Sequence, residues 1–298
     1  VGRRFSTAIT GVMQATLGNL PEFFVVIFAL QAGQLIVAQT AIVGSILVNA
    51  LLVLGLVIVA GAGHSRQGVM RFNPRLPNDT ATLLLTSTFV IVLIAIAHSA
   101  GDLTIRHAKT ISIVGAVALL IVYGTWLRQY LRSDSGPAIE SGEQPRLPTS
   151  FAVTLLVLGG IGAAFVSDWF VHALTPTIHT LNISKAFAGL VIIAIAGNAV
   201  EHVVGIALAA RGQSDLAISV VKNSVAQIAA FLYPTLVLVS LLTATTLTFS
   251  LGAVYAGALF GTAVIVWQIT GDGEATMFEG AALISAYVVL ALVAAFQG

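Results

Sequence analysis

Gly197-Asn198-Ala199-Val200-Glu201-His202 interrupts an apolar run that extends from about Ala186 to Ala210. A carboxylate and an imidazole inside a membrane-length helix are costly to bury, so such groups mark ion or proton pathways. The motif has a twin. Gly18-Asn19-Leu20-Pro21-Glu22 repeats Gly-Asn-x-x-Glu at the head of another apolar run, and the glycines and the glutamates of the two copies are each 179 residues apart. Two matching carboxylates in apolar surroundings decide both the class of fold and the class of function to look for.

The surroundings are apolar throughout. Of 298 residues, 57% are hydrophobic and 8% charged, with a mean hydropathy of +0.99, whereas soluble domains carry roughly 25% charged residues. The chain therefore reads as an all-α polytopic membrane protein, its partner the lipid bilayer. Its formal net charge of +1 and singly scattered basic residues give no patch for nucleic acid. The absence of cysteine excludes disulfides, thiol catalysis and thiolate metal sites. The chain opens on Val1, Arg3 and Arg4, without an initiator Met or the pattern of a signal peptide.

Working outward from the two motifs, apolar runs of spanning length, roughly 20 residues each, lie at about 18–37, 40–62, 80–100, 110–131, 150–172, 185–210, 215–242, 245–268 and 276–297. They predict about nine helices. The polar stretch 62–80, with its prolines and asparagines, reads as a loop, and 132–149 as the linker between halves. If the helices alternate sides, nine basic residues (Arg3, Arg4, Arg66, Arg71, Arg75, Arg128, Arg132, Arg146, Arg211) fall on one side and three (Arg106, Lys109, Lys185) on the other. The richer side, and with it the linker, is expected to be cytoplasmic.

The 179-residue offset also carries Gly44-Ser45 and the residues up to Asn49 onto Asn223-Ser224 and the residues up to Ile228, so serine meets serine in the helix after each glutamate. The second half has five runs with its glutamate on the second, the first half four with its glutamate on the first. Copies of equal length then require one further helix upstream of Arg3. Five spans per copy is odd, so the second copy enters from the opposite side. This predicts two inverted repeats of five transmembrane helices, as in secondary transporters with a midplane ion site: residues 1–132, a linker at 133–149, and residues 150–298.

The polar residues of these helices share faces. Asn19 and Glu22, like Asn198 and Glu201, are three apart; Ser45 and Asn49 are four apart, Ser224 and Gln227 three. The glycines before each Asn, and Pro21, are expected to weaken the local helix and free carbonyls, which is tolerated at membrane depth only inside protein or along a cavity. The donors are all oxygen. Hard cations such as Ca²⁺ take about 6–8 oxygen ligands, and two carboxylates neutralise one divalent ion. Without the metal, burial and mutual repulsion disfavour two charges, so the pair takes up protons instead. Competition for the same two groups couples the fluxes in opposite directions.

With both motifs in order and in matching helices, the chain resembles the calcium/proton exchangers of the cation/Ca²⁺ antiporter superfamily over about 15–65 and 184–240. Asp272-Gly273-Glu274 with Phe278-Glu279-Gly280 adds a resemblance at the start of the last helix. The resemblance implies that Glu22 and Glu201 carry Ca²⁺ and protons, that Asn19, Ser45, Asn49, Asn198, Ser224 and Gln227 line the site, and that some helices move against a core of four motif helices to alternate access. Transported Ca²⁺ and H⁺ are then the only ions required, with no cofactor. Two residues depart from the pattern. Pro21 beside Glu22 is more typical of the sodium/calcium branch, so sodium/calcium or sodium/proton antiport is the alternative, with Na⁺ as counter-ion. Asn223 replaces a usual Gly and adds a polar group near the site.

Other residues have plainer readings. His202 points about 100° away from Glu201 and is expected to be its hydrogen-bonding neighbour rather than a ligand, since hard cations prefer oxygen. Lys222 is expected to snorkel to the interface, Asp168 to be interfacial beside Trp169 and His172, His98 to lie at a helix end, and Gly159, Gly160 and Gly162 to let helices pack closely. An intramembrane metalloenzyme is excluded, because no second His stands four residues from the first around a Glu. The short linker, with only Asp134, Glu140 and Glu143, argues against calcium sensing. Short termini and linker point to a prokaryotic inner membrane.

Overall fold

The computed structural model describes residues 18–101, 106–133 and 149–297. In chain order they form α1 (Leu20–Gln31), α2 (Leu35–His64), β1 (Val69–Arg71), α3 (Arg75–Ser99), α4 (Ala108–Ser133), α5 (Thr149–Leu181), α6 (Lys185–Gly197), α7 (Ala199–Ala210), α8 (Ser214–Leu242), α9 (Ala253–Thr270), β2 (Glu274–Thr276) and α10 (Met277–Ala295). Among the described residues, seven helices are long and apolar enough to cross a membrane, and α6 with α7, bent by 60°, makes an eighth. The architecture is thus a nearly all-helical membrane bundle. The expected upstream helix and most of the 133–149 linker lie outside the described residues.

Several boundaries differ from the sequence reading, each for a local reason. The run 18–37 is not one spanning helix: α1 has 12 residues and stops where Gly33 takes φ 70°, a left-handed turn that favours glycine. The run 185–210 is broken at Asn198, whose backbone (φ −103°, ψ 9°) leaves the helical range. The supposed loop before residue 80 is already helix from Arg75, with Pro77 in the first turn, where its missing N–H costs nothing. Residues 274–276 pair with 69–71 as a short antiparallel ribbon, Met70 opposite Ala275 and Arg71 opposite Glu274. The Arg71–Glu274 ion pair (3.0 Å) on it is exposed. From the ribbon, Thr276 and Glu279 start α10 with a reciprocal capping box.

The 179-residue register recurs in the backbone. Adding it to Leu20–Gln31 gives Ala199–Ala210, the bounds of α7. Gly33 and Gly212 both have positive φ (70° and 74°), and Gln34 (φ −91°, ψ 59°) matches Gln213 (φ −87°, ψ 61°) at the N-caps of α2 and α8. Both of those helices then pass through π-helical turns, Val48–Val53 and Ile228–Leu232, with a third at Ala188–Ile193 in α6. Such turns interrupt the regular hydrogen-bond ladder and concentrate at functional sites.

The innermost element is α2: 83% of its spanning window is buried, against 28% for α4 and α10. It crosses α6 so closely that a Cβ on Gly44 would lie 2.6 Å from the Cα and carbonyl oxygen of Leu190. By contrast, Gly159 and Gly162 meet nothing within 4 Å and Gly160 only the Leu20 side chain at 3.7 Å, so these glycines do not pack helices together.

Candidate functional site

The motif helices α1, α2, α7 and α8 and the end of α6 bring Glu22, Ser45, Asn49, Asn198 and Ser224, all buried, together with half-buried Glu201 into one polar cluster. Asn198 is its centre. Its Nδ2 donates to Glu22 Oε1, to Ser45 Oγ (3.2 Å) and to the Ala194 carbonyl (2.9 Å). Asn49 Nδ2 donates to Asn198 Oδ1 (2.9 Å) and toward Ser224 Oγ (3.4 Å), and Ser224 Oγ donates to Glu201 Oε2 (3.0 Å). A continuous path of hydrogen bonds therefore joins the two carboxylates through residues of both halves. Ser45 is a further partner of Glu22.

The glycine of each motif has a role different from the expected one. A Cβ on Gly197 would lie 3.1 Å from Glu22 Cγ, and one on Gly18 would overlap Glu201 Oε1. Each glycine thus makes room for the glutamate of the other motif, and neither has the positive φ that would make conformational freedom the reason. A repeated Gly four residues before each Glu was the available signal, but only the crossing of the two copies shows what it admits.

Polar groups here outnumber their partners. Glu22 Oε2, Asn49 Oδ1 and both amide atoms of Asn19 are buried without a hydrogen-bond partner among the described residues. Leaving such a group unpaired costs about 1–3 kcal/mol, so three oxygens held in this state favour a cation among them. No group of three or more His, Asp or Glu converges among the described residues. The charged donors are two carboxylates, matched to one divalent ion, and the rest are neutral oxygens.

Not every expected residue joins this cluster. Gln227 is buried and its side chain partners Tyr123 on α4, a contact that the sequence did not suggest. Asn19 is 3% exposed beside the cluster but unbonded. His202 has a buried, unpartnered Nε2, and Asn223 is buried with its Oδ1 unpartnered.

Lys222 does not snorkel. It is 2% exposed, and its Nζ donates to Thr270 Oγ1 on α9 (3.2 Å). The reason is register: the turn of α8 that carries Lys222 is turned inward, toward Thr270 of α9, and Val221 and Asn223 beside it are buried too. Among the described residues Lys222 forms no ion pair, and an amine buried without a carboxylate is costly. Lys222→Met, which keeps the length and drops the polar head, is therefore expected to match or exceed the parent in thermal stability in detergent; a clear fall in melting temperature would show the Thr270 bond outweighs the burial cost.

The comparisons with known proteins can be set beside this geometry. The sequence model of a family described as sodium/calcium exchanger protein matches residues 3–128 and 151–296. The vacuolar calcium ion transporter of Schizosaccharomyces pombe is 31% identical over 290 residues, covering 94% of this chain and 70% of that protein. The Ca²⁺/H⁺ antiporter ChaA of Bacillus subtilis is 30% identical over 294 residues, covering 95% and 82%. The solved structure of native YfkE superposes with a TM-score of 0.80 at 28% identity, covering 97% of this chain and 84% of that one.

Proposed function

Because the chain belongs to the sodium/calcium exchanger family, we propose that it is an antiporter exchanging cytosolic Ca²⁺, or a similar cation, for protons through a single site shared by Glu22 and Glu201 near the membrane midplane. The observation that carries this is the bridged carboxylate pair: buried Glu22 and half-buried Glu201, one from each motif, tied through Asn198, Asn49 and Ser224 beside unpaired oxygens. The relatives named as Ca²⁺/H⁺ antiporters support protons as the counter-ion.

Each ion does what the other does electrostatically. Bound Ca²⁺ cancels two carboxylate charges in a low-dielectric site, and two protons cancel the same two charges. The empty, doubly charged site is the disfavoured state, so one cargo leaves as the other arrives. The arginines at the end that holds Arg66, Arg71, Arg75 and Arg211 mark the expected cytoplasmic end, and an inward proton gradient across an inner membrane would drive Ca²⁺ outward from that end. Two inverted repeats divided at the 133–149 linker account for the recurring 179-residue register, and the π-helical turns beside Asn49, Gln227 and Leu190 are where the motif helices would flex between access states.

The test is ⁴⁵Ca²⁺ uptake and internal pH recorded together in proteoliposomes under an imposed proton gradient, with and without Na⁺. Proton-driven uptake indifferent to Na⁺ is expected. Uptake that requires a Na⁺ gradient and ignores pH would establish the sodium-coupled reading that Pro21 favours; absence of either flux from intact protein would end the exchanger reading.

The sign of the pH dependence follows from the competition. Each Ca²⁺ bound releases up to two protons, so apparent Ca²⁺ affinity is expected to fall as pH drops, by up to about 100-fold per pH unit where both carboxyls are protonated, and to level off at high pH where both are ionised. A slope near one in a plot of log affinity against pH would mean that only one carboxylate exchanges its proton.

A further inference from the structure

At the end of the bundle opposite Arg66 and Arg71, a cavity of about 700 Å³ opens between the first turns of α2, the end of α5, the starts of α6 and α9 and the end of α10. Its volume lies within the range of small-molecule sites, roughly 300–1,000 Å³. The course of α2 fixes which end this is. The helix leaves the cavity at Ile36 and finishes at His64, which abuts the Gly212 turn beside Arg211.

Charge decides what can sit there. Lys185 and His179 line the cavity and no Asp or Glu does, so the charge its wall carries is only positive. Both are exposed, and neither forms an ion pair among the described residues. The loop carboxylates Asp215 and Glu274 are at the opposite end, where Asp215 takes the Asn73 N–H and Glu274 pairs with Arg71; Asp168 on α5 is about 16 Å along the helix from His179. Neutral donors add to the lysine. Gln297 Oε1 accepts from the Tyr255 hydroxyl, which leaves the Gln297 amide N–H groups to donate. Two apolar side chains flank the mouth: Leu181, next to Asn182 of the wall, is 62% exposed, and Phe296, next to Gln297, is 86% exposed.

We infer that this cavity binds an anionic phosphate group, presented by the headgroup of an acidic phospholipid, with Lys185 and His179 as its charged partners. Basic pockets between transmembrane helices take up such headgroups, and lysine serves phosphate as a point charge. Leu181 and Phe296 then offer the acyl chains a seat on the lipid side. The inner wall of the cavity leads toward the ion cluster. Thr40, which lines it, packs against α6 so closely that a Cβ on Gly189 would overlap its hydroxyl, and Ser45, further along α2, accepts from Asn198 at the far end of α6. A headgroup held at Lys185 therefore braces the start of α6 against α2 and stabilises the assembled bundle. This binding is independent of which ions are carried.

The experiment follows the melting temperature of delipidated protein in detergent as phosphatidylglycerol, phosphatidylcholine, glycerol phosphate or inorganic phosphate is added. Phosphatidylglycerol is expected to raise it by about 5 °C or more at saturation, and phosphatidylcholine, which has no net charge, by much less. In Lys185→Gln/His179→Gln the half-saturating concentration of phosphatidylglycerol should rise about tenfold or more, while Lys185→Arg should bind as the parent does. Lipid retained by parent and variants, counted by native mass spectrometry, gives the same comparison without a melt. A matching shift from glycerol phosphate or inorganic phosphate at equal concentration would support the anion site and make its occupant a soluble phosphate. Equal shifts from the two lipids would show no preference for negative charge, and an undiminished phosphatidylglycerol response in the double variant would put the anion elsewhere, such as the arginines of the opposite end; either result overturns the site.

Discussion

Proton-driven Ca²⁺ uptake is expected to disappear in Glu22→Gln and, separately, in Glu201→Gln. Glutamine keeps the shape and can still accept a hydrogen bond at the same place, from Asn198 in the first case and Ser224 in the second, so the helices remain assembled and only charge is lost. One carboxylate against a divalent ion leaves a net positive charge in a buried site. Removing one member of a buried, paired charge system costs about 3–5 kcal/mol, which is roughly two to three orders of magnitude in affinity. Transport should fall below detection in both variants, and ⁴⁵Ca²⁺ self-exchange should fall with it. If one variant transports Ca²⁺ normally, the two glutamates do not share one ion.

Gly18→Ala and Gly44→Ala should fail in different ways although each adds a single methyl group. At Gly18 the new Cβ lands on the Glu201 carboxylate and lies 3.1 Å from its Cδ. The end of a flexible side chain can turn away, so the protein should fold, but Glu201 then leaves Ser224 and the shared site. Ca²⁺ affinity is expected to fall about tenfold or more, near the worth of one hydrogen bond to a charged group (about 1.5–3 kcal/mol). At Gly44 the Cβ meets the backbone of Leu190 at 2.6 Å, which cannot turn away. The α2–α6 crossing must open, at about 1–3 kcal/mol for overpacking, and the loss should show first as a lower melting temperature in detergent. Equal melting temperatures for parent and Gly44→Ala would mean that the crossing yields more easily than a packed core.

Much of the site was legible because burying charge in a membrane is so costly that a carboxylate in an apolar run survives only for a purpose. Glu22, Glu201 and their asparagines stand out on that ground alone, and the 179-residue spacing pairs them. The serines follow from the same offset. Gln227 and Lys222 show where the reading stops. Both are polar residues on α8, and helical spacing put Gln227 with Ser224 and Lys222 within snorkelling reach of an interface. Which neighbour each side chain meets depends on the helices that cross it, and these proved to be α4 for Gln227 and α9 for Lys222.

The break at Asn198 was announced by its Gly-Asn pair, but the short α1, the early start of α3 at Arg75 and the β1–β2 ribbon were not. Backbone at a helix end is decided by small differences among turn, cap and helix, and a hydropathy pattern does not resolve them. The length of α5 was hidden for a related reason: it continues nine residues beyond the apolar run read at 150–172.

The sequence by itself determined that this chain lives in a membrane and that one motif occurs in it twice, with two carboxylates and neutral oxygen donors of the kind that suit a divalent ion or protons. Those conclusions rest on transfer energies and on chain-local spacing, which are properties of residues and their order. Only the tertiary structure decided that each motif glycine makes room for the other motif's glutamate, that Asn198 and Asn49 bridge the two carboxylates, and that Ser167 of α5 donates to the Pro21 carbonyl. These are contacts between helices far apart in the chain, 176 residues for Asn198 and Glu22, set by how the rods cross and rotate when packed, and no period within a single helix encodes that.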